Sequence, residues 1–492
     1  MHFWDSNIWS VMTIVAVLCL GMLLAHIIKN NIPLFKKSLI PTSVLGGILV
    51  LIFTSVFKLI TKETFFDLDF LSIVKDSDTT ITGSNMLEAI TYHGLGIGFI
   101  AMGLRGGKKD KKMSKKRSEE VFNTGITTVS TYLIQVLIGM TFTILLTPII
   151  KGLIEASGLI LALGFGQGTG QALNYGRMYE NLKAPLQALE GGANFGLALA
   201  ALGFLSASIG GVICLNILKA RNKIKTNNGE EIEQIKLEDV HSSNDVPMNS
   251  SIDKLTIQIA IIAGTYFLAY LLMNFIGSFV GDNMRDTIFG FNFLIGTLMA
   301  IIVKSVLNFL KKHNIIKKEY INDFMMNRIG GVAFDIMIVA GIAVIDLELI
   351  KEYWWLLLSM GLVGAGVTFA YLMFVSKKLF KDYAYEQFFA MYGMLTGTAS
   401  TGVILLREID PNFETPAADN LVYQNLPAIV FGFPILLLAN FAPGKINEAT
   451  NEVIFNGRQA ALIVYGIVFV LLIVLLLILF RKQIFKKRTK KQ

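Results

Sequence analysis

Leu163 to Leu173 reads LGFGQGTGQAL, and Tyr392 to Val403 reads YGMLTGTASTGV. Setting Gly164 on Gly393 also sets Gly168 on Gly397 and Thr169 on Thr398, a shared G-x-x-x-G-T. Both stretches lie between strongly apolar segments. Glycine and small hydroxyl residues in such a place loosen the helix where open backbone is least welcome. At membrane depth, unpaired backbone groups are tolerated only when buried in protein or lining a water-filled cavity.

The setting is a membrane because, of the chain's 492 residues, 53% are hydrophobic and only 16% charged, whereas a soluble protein has nearer one-quarter charged. Several runs reach the roughly 20 apolar residues of a spanning helix, among them Ile8 to Ile28, Leu255 to Val280, Trp354 to Val375 and Leu462 to Phe480. The first run is read as an uncleaved helix, since Asp5 precedes it where a secretion signal is positive. Cys19 and Cys214 fall inside apolar runs, which points away from a disulfide or a metal site. The net charge of +8 sits in loops and does not suggest nucleic acid as a partner.

Lys and Arg in short loops mark the cytoplasmic side. The run RGGKKDKKMSKKRSEE, 105 to 120, carries eight basic residues, and 29 to 38, 219 to 254, 311 to 318, 376 to 381 and the tail after Phe480 are also basic. The stretch 61 to 84, with Asp67, Asp69, Asp76 and Asp78, reads as external. All basic loops fall on one side if the chain crosses at 8–28, 43–60, 85–104, 121–150 and 191–218, then at 255–280, 287–310, 327–346, 353–375, 421–441 and 459–480. Two segments, 155–181 and 383–407, then dip in and return from opposite sides.

The expected fold is therefore an all-α polytopic membrane protein with an inverted-topology repeat. Residues 1–218 form an N-terminal five-helix half and 255–441 its inverted counterpart, each with a re-entrant hairpin. The polar stretch 219–254 connects them in the cytoplasm, and 442–492 adds an extra helix with a basic tail. An even-numbered bundle with ordinary broken helices is the competing arrangement. The N-terminus is expected outside and the C-terminus in the cytoplasm.

On this topology each glycine-rich stretch is the tip of a hairpin. About ten helical residues at roughly 1.5 Å each reach halfway through the hydrocarbon core, so both tips end near the midplane. The second half-helix of each hairpin offers free N–H groups and the positive dipole end to an anion. Unwound carbonyls and the hydroxyls of Thr169, Thr396, Thr398, Ser400 and Thr401 offer hard oxygen ligands to a small cation such as Na⁺. The other reading of such residues is tight helix packing, and that explanation is preferred for Gly203, Ala207 and Gly211 and for Gly94 to Gly98. Asp335 falls near the middle of its span, where a charge needs a partner or cavity. It is a candidate cation ligand or proton carrier, with a structural pair to Arg328 as the alternative. Lys304 should snorkel, and His93, Glu88, Asn292 and Gln135 read as packing or interhelical hydrogen bonds. Arg177 and Arg407, just beyond the tips, read as interfacial anchors of the hairpins, with attraction of an anion's carboxylate as the alternative.

These stretches, together with IPTSVLGGILV (Ile40 to Val50), GIGFIAMGLRGG (Gly96 to Gly107) and GQGTGQA (Gly166 to Ala172), give a chain that resembles the bacterial sodium/glutamate symporters over most of its length. The resemblance implies a homodimer in the cell inner membrane in which a substrate-carrying domain moves against a scaffold. It also implies that substrate and Na⁺ sit at Gln167, Gly168, Thr169 and Gly170 in the first tip and Thr396, Gly397, Thr398, Ala399 and Ser400 in the second, with Thr401 beside them. Gln167 replaces the family's usual His, the second tip reads differently, and the final helix is additional. Candidate cation ligands are Asp335, Thr169 and Thr398. The expectation is Na⁺-coupled uptake of glutamate or a similar small anion, with a proton-coupled or exchange carrier for another carboxylate as the alternative. No cofactor is expected. Enzyme chemistry is not expected either, since H-E-x-x-H, G-x-S-x-G and a P-loop are all missing from the sequence.

Overall fold

The computed structural model describes residues 6–36, 39–76, 79–105, 115–224, 254–279, 285, 288–316, 318, 320–411, 414–447, 450 and 452–488. The basic run at 106–114, most of the expected connector (225–253) and the last four residues lie outside them. Among the described residues, ten helices are long and apolar enough to cross a membrane. They are α1 (Ser6–Asn31), α2 (Thr42–Thr61), α3 (Gly83–Leu104), α4 (Lys115–Leu146), α6 (Gly192–Ala220), α7 (Lys254–Gly277), α8 (Asn292–Lys312), α9 (Asp323–Ala343), α10 (Trp354–Leu379) and α15 (Gly457–Leu479). Their ends follow local chemistry. Thr82 and Asn85 form a capping box on α3, as do Asn456 and Gln459 on α15, and these pairs satisfy N–H groups that have no intrahelical partner. Lys311 and Lys312 end α8, and Lys377 and Lys378 end α10, where cations suit the negative dipole end.

Ten expected crossings correspond to these helices. The eleventh, 421–441, is broken: α13 (Ala417–Tyr423) is followed by α14 (Asn425–Phe441), which contains Pro434. At roughly 1.5 Å per residue, α14 alone falls short of a hydrocarbon core about 30 Å thick. Between the spans also lie α5 (Ile160–Glu180), α11 (Ala384–Thr396) and α12 (Ala399–Arg407). Outside them, β1 (Ile73–Asp76) pairs antiparallel with β2 (Thr79–Ile81). Cys19 and Cys214 are both free.

The chain forms two compact units, each drawing on both sequence halves. The first comprises 1–18, 65–112 and 229–341. Its core joins Ile100, Ala101 and Leu104 of α3 to Ile262, Ala300 and Met326. Here the Gly94 to Gly98 run serves close packing: a Cβ on Gly94 would lie 3.1 Å from the Ala333 carbonyl, and one on Gly98 2.5 Å from the Phe334 ring. His93 Nδ1 lies 2.8 Å from Tyr266 Oη, and Asn292 donates to the Tyr92 carbonyl at 3.2 Å. Lys304 donates to the Arg105 carbonyl, which settles its ammonium at the helix end.

The second unit comprises 19–64, 113–228 and 342–492, so it holds both glycine-rich stretches. α6 is half buried along its span, whereas α15 is only 22% buried and exposes Leu462, Phe469 and Val470. In a bilayer those faces meet lipid rather than water.

Candidate functional site

α5 is interrupted at Gly168, whose φ of 78° and ψ of −168° lie where a Cβ is disfavoured. Contacts with α6 show what the interruption does. Ile160 lies against Gly196 (3.3 Å from a Cβ there), Gly164 against Ala200 (3.0 Å) and Phe165 against Gly203 (3.0 Å). Beyond Gly168 the order inverts, with Ala172 against Gly196 and Gly176 against Gly192. The chain thus runs along α6 in one sense before Gly168 and in the opposite sense after it.

α11 and α12 meet at Gly397 (φ −145°, ψ −109°) and Thr398. Glycine again permits close approach, since a Cβ on Gly393 would lie 2.6 Å from Gly402 Cα, and one on Gly402 would strike the Ala390 carbonyl. Thr398 Oγ1 accepts from Thr401 N at 3.4 Å as the N-cap of α12. The N–H groups of Ala399 and Ser400 in the first turn have no intrahelical acceptor. The Thr396 hydroxyl donates back to the Tyr392 carbonyl at 2.7 Å, and the Thr398 and Thr401 hydroxyls pair with each other at 3.2 Å, so three of the candidate hydroxyls are already engaged locally. Thr169 and Thr401 are buried, and Ser400 is exposed.

One position joins the two breaks. A Cβ on Gly203 of α6 would sit 2.5 Å from the Thr396 carbonyl and 3.0 Å from the Phe165 ring. Gly211, two turns on, faces Leu405 of α12 at 2.6 Å. The packing role expected of this row is therefore packing against both interrupted segments.

α4 holds both breaks from another side. Tyr132 donates to the Gly166 carbonyl at 3.1 Å, and Gln135 donates to the Leu395 carbonyl at 2.9 Å and the Thr368 hydroxyl at 3.1 Å. Three residues apart, these side chains share one helix face. The hydroxyls of Thr124, Thr127 and Thr131 donate to carbonyls four residues back, at 2.7–2.8 Å. Further along, Gln387 donates to Thr124 Oγ1 at 3.3 Å and accepts from Asn420 at 2.8 Å. Gln424, at the break between α13 and α14, reaches Met394 Sδ at 3.5 Å.

Several buried polar atoms here have no protein partner: Gln135 Oε1, Gln167 Oε1, Gln424 Oε1, Thr128 Oγ1 and both amide atoms of Gln171. Buried polar groups are ordinarily paired, so each calls for a reason. The second arm of α5 also binds α14, through Tyr175 to the Leu436 carbonyl (3.1 Å) and Tyr179 to the Ala439 carbonyl (2.8 Å). Gln171 lies one turn before Tyr175 on that face.

Tyr132, Gln171 and Gln424 were missed by the sequence reading, while Gln135, read as packing or an interhelical hydrogen bond, makes such a bond. The available signal was the polar run NTGITTVSTYLIQ, Asn123 to Gln135, within a span. Asp335 belongs to the first unit and is exposed on α9, while Arg328 stacks over Phe324 at 5.1 Å. Arg177 pairs with Glu180 at 3.2 Å. Among the described residues no three His, Cys, Asp or Glu side chains converge as a metal site. At the end of α2, Lys58 binds Asp346 at 2.6 Å and Glu348 at 2.9 Å in the loop after α9, and its hydrogen bond holds the Glu348 carboxyl below the usual range. Lys116 does the same to Asp382 at 2.9 Å.

The fold defines a multi-pass membrane protein. No family model, curated protein or solved structure matches the chain.

Proposed function

We propose that the protein is a secondary active transporter that takes up glutamate or a similar small anion with Na⁺ by alternating access, one unit moving in elevator fashion. The observation that carries this reading is the pair of interrupted helices in one unit, tied to the same turn of α4 by Tyr132 and Gln135. Free N–H groups at the start of α12 suit a carboxylate, and carbonyls at the end of α11 suit a cation.

In this reading the two arms of α5, and α11 with α12, are re-entrant hairpins in inverted halves, and α13 with α14 makes one crossing. All basic loops are then cytoplasmic, with the N-terminus outside the plasma membrane. The protein works as a homodimer. Thr169 and Thr398 contribute oxygens to the cation and Asp335 serves the coupling path, while Gln167 to Gly170 and Thr396 to Thr401 surround the substrate.

The test is uptake of labelled glutamate into proteoliposomes. A Na⁺ gradient should be required. If more than one Na⁺ enters with each monoanion, an inside-negative potential adds about 2.3 kcal/mol per charge per 100 mV. Uptake unchanged by replacing Na⁺ with choline would refute the reading.

A further inference from the structure

We infer that Gln135 is a ligand to a small cation held between the two helix breaks, with Gln167 as a second oxygen donor. Gln135 is fully buried. Its amide nitrogen is committed to the Leu395 carbonyl and the Thr368 hydroxyl, which fixes Oε1 as the opposite end of the group. That oxygen has no protein partner, and covalent geometry keeps it beside the last turn of α11. One turn away on α4, Tyr132 holds the Gly166 carbonyl. The next residue, Gln167, carries another buried oxygen without a partner.

The balance of unpaired atoms decides the chemistry. Gln135, Gln167 and Gln424 each leave an acceptor-only oxygen unpaired, whereas Gln171 leaves both amide atoms and Thr128 a hydroxyl that can donate or accept. Thr128 is buried with its hydroxyl unpaired on the same helix as Gln135. A carboxylate alone would be met by donors. An excess of neutral acceptors at the carbonyl end of a helix suits a hard cation that binds oxygen. Because Gln135 and Gln167 are uncharged, the ion's charge is left for an anion to balance. Cation and anion then raise each other's affinity by the same factor. This deepens the transport reading and rests on it only in taking the ion to be a coupling ion.

The experiment measures the melting temperature of the purified full chain in detergent, titrating NaCl against choline chloride at constant ionic strength, without substrate. Na⁺ should stabilise the wild type in a saturable way, because a ligand that binds the folded state stabilises it. Gln135→Met and Gln167→Met should each raise the Na⁺ concentration for half-maximal effect by tenfold or more. Gln135→Glu, which keeps an oxygen, should retain a response. Gln167 Oε1 has no protein partner for its substitution to remove, so Gln167→Met decides the matter if Gln135→Met fails to fold. An unresponsive wild type, or a Na⁺ titration unaltered in the folded variants, overturns the inference. Na⁺ stabilisation lost in the variants together with absent glutamate uptake would leave this site standing and remove the transport reading. Na⁺-dependent uptake with unaltered titrations would do the reverse.

Discussion

Gly203→Ala tests whether α6 is the buttress for both helix breaks. The new Cβ would lie 2.5 Å from the Thr396 carbonyl, 3.0 Å from the Phe165 ring and 3.3 Å from Phe165 Cα. Ordinary contact begins near 3.4 Å, so the end of α11 must retreat by roughly 1 Å, the size of an added atom in a close-packed interior. Overpacking of this kind costs about 1–3 kcal/mol. Alanine in a helix interior returns about 1 kcal/mol relative to glycine. The net destabilisation is therefore about 0–2 kcal/mol, a protein that still folds. Function should suffer more, since a misplacement of about 1 Å at a site can cost on the order of a hundredfold. Initial uptake rates in proteoliposomes and melting temperatures would be compared with Gly366→Ala and Gly466→Ala, where a Cβ meets nothing within 4 Å. Those controls should gain stability and keep activity. A Gly203→Ala protein that gains stability as they do, with full uptake, would refute the buttress argument.

Tyr132→Phe removes the hydrogen bond to the Gly166 carbonyl and should weaken substrate-dependent thermal stabilisation by up to about tenfold in apparent affinity, from a net 0.5–1.5 kcal/mol per hydrogen bond. Gln171→Leu replaces a buried amide with neither atom paired. It should raise the melting temperature, by the equivalent of about 1–3 kcal/mol, while lowering uptake if that amide serves the substrate, and a lowered melting temperature would show that the amide is satisfied in the fold. For the Lys58 cluster, the Glu348 carboxyl is depressed by its bond to Lys58, so its contribution is present above the ordinary carboxylate pKa of about 4.3 and is lost as pH falls through the lower folded value. Lys58→Met should therefore destabilise the protein at pH 7 and converge with wild type below about pH 4 in melting experiments. Divergence that persists in acid would assign Lys58 a packing role instead.

Much of the secondary structure was legible because a bilayer imposes a simple requirement: runs of about 20 apolar residues must be helical to pair their backbone. The span Trp354–Leu379 follows from that alone, as does the expectation that Gly-rich stretches at 163–173 and 392–403 interrupt helices. The break inside 421–441 was read over as part of one apolar span, although Gln424 and Asn425 with Pro427 in the next turn, and Pro434 further on, were the local signs of it. The role of Tyr132 and the partners of Gln135 were hidden for a different reason. A polar residue in a span can bond back along its own helix, as Thr127 and Thr131 do, or reach across to another one, as Gln135 does.

The sequence by itself determined that the chain lives in a membrane, where its helices run and where two of them are interrupted, because hydrophobic length and glycine placement are local properties. The tertiary structure alone decided that both interruptions lie against Gly203 and hang from one turn of α4, and that several buried amide atoms there lack protein partners. Those facts depend on which residues, up to 260 positions apart in the chain for Gln135 and Leu395, are brought into contact, and no local pattern encodes that.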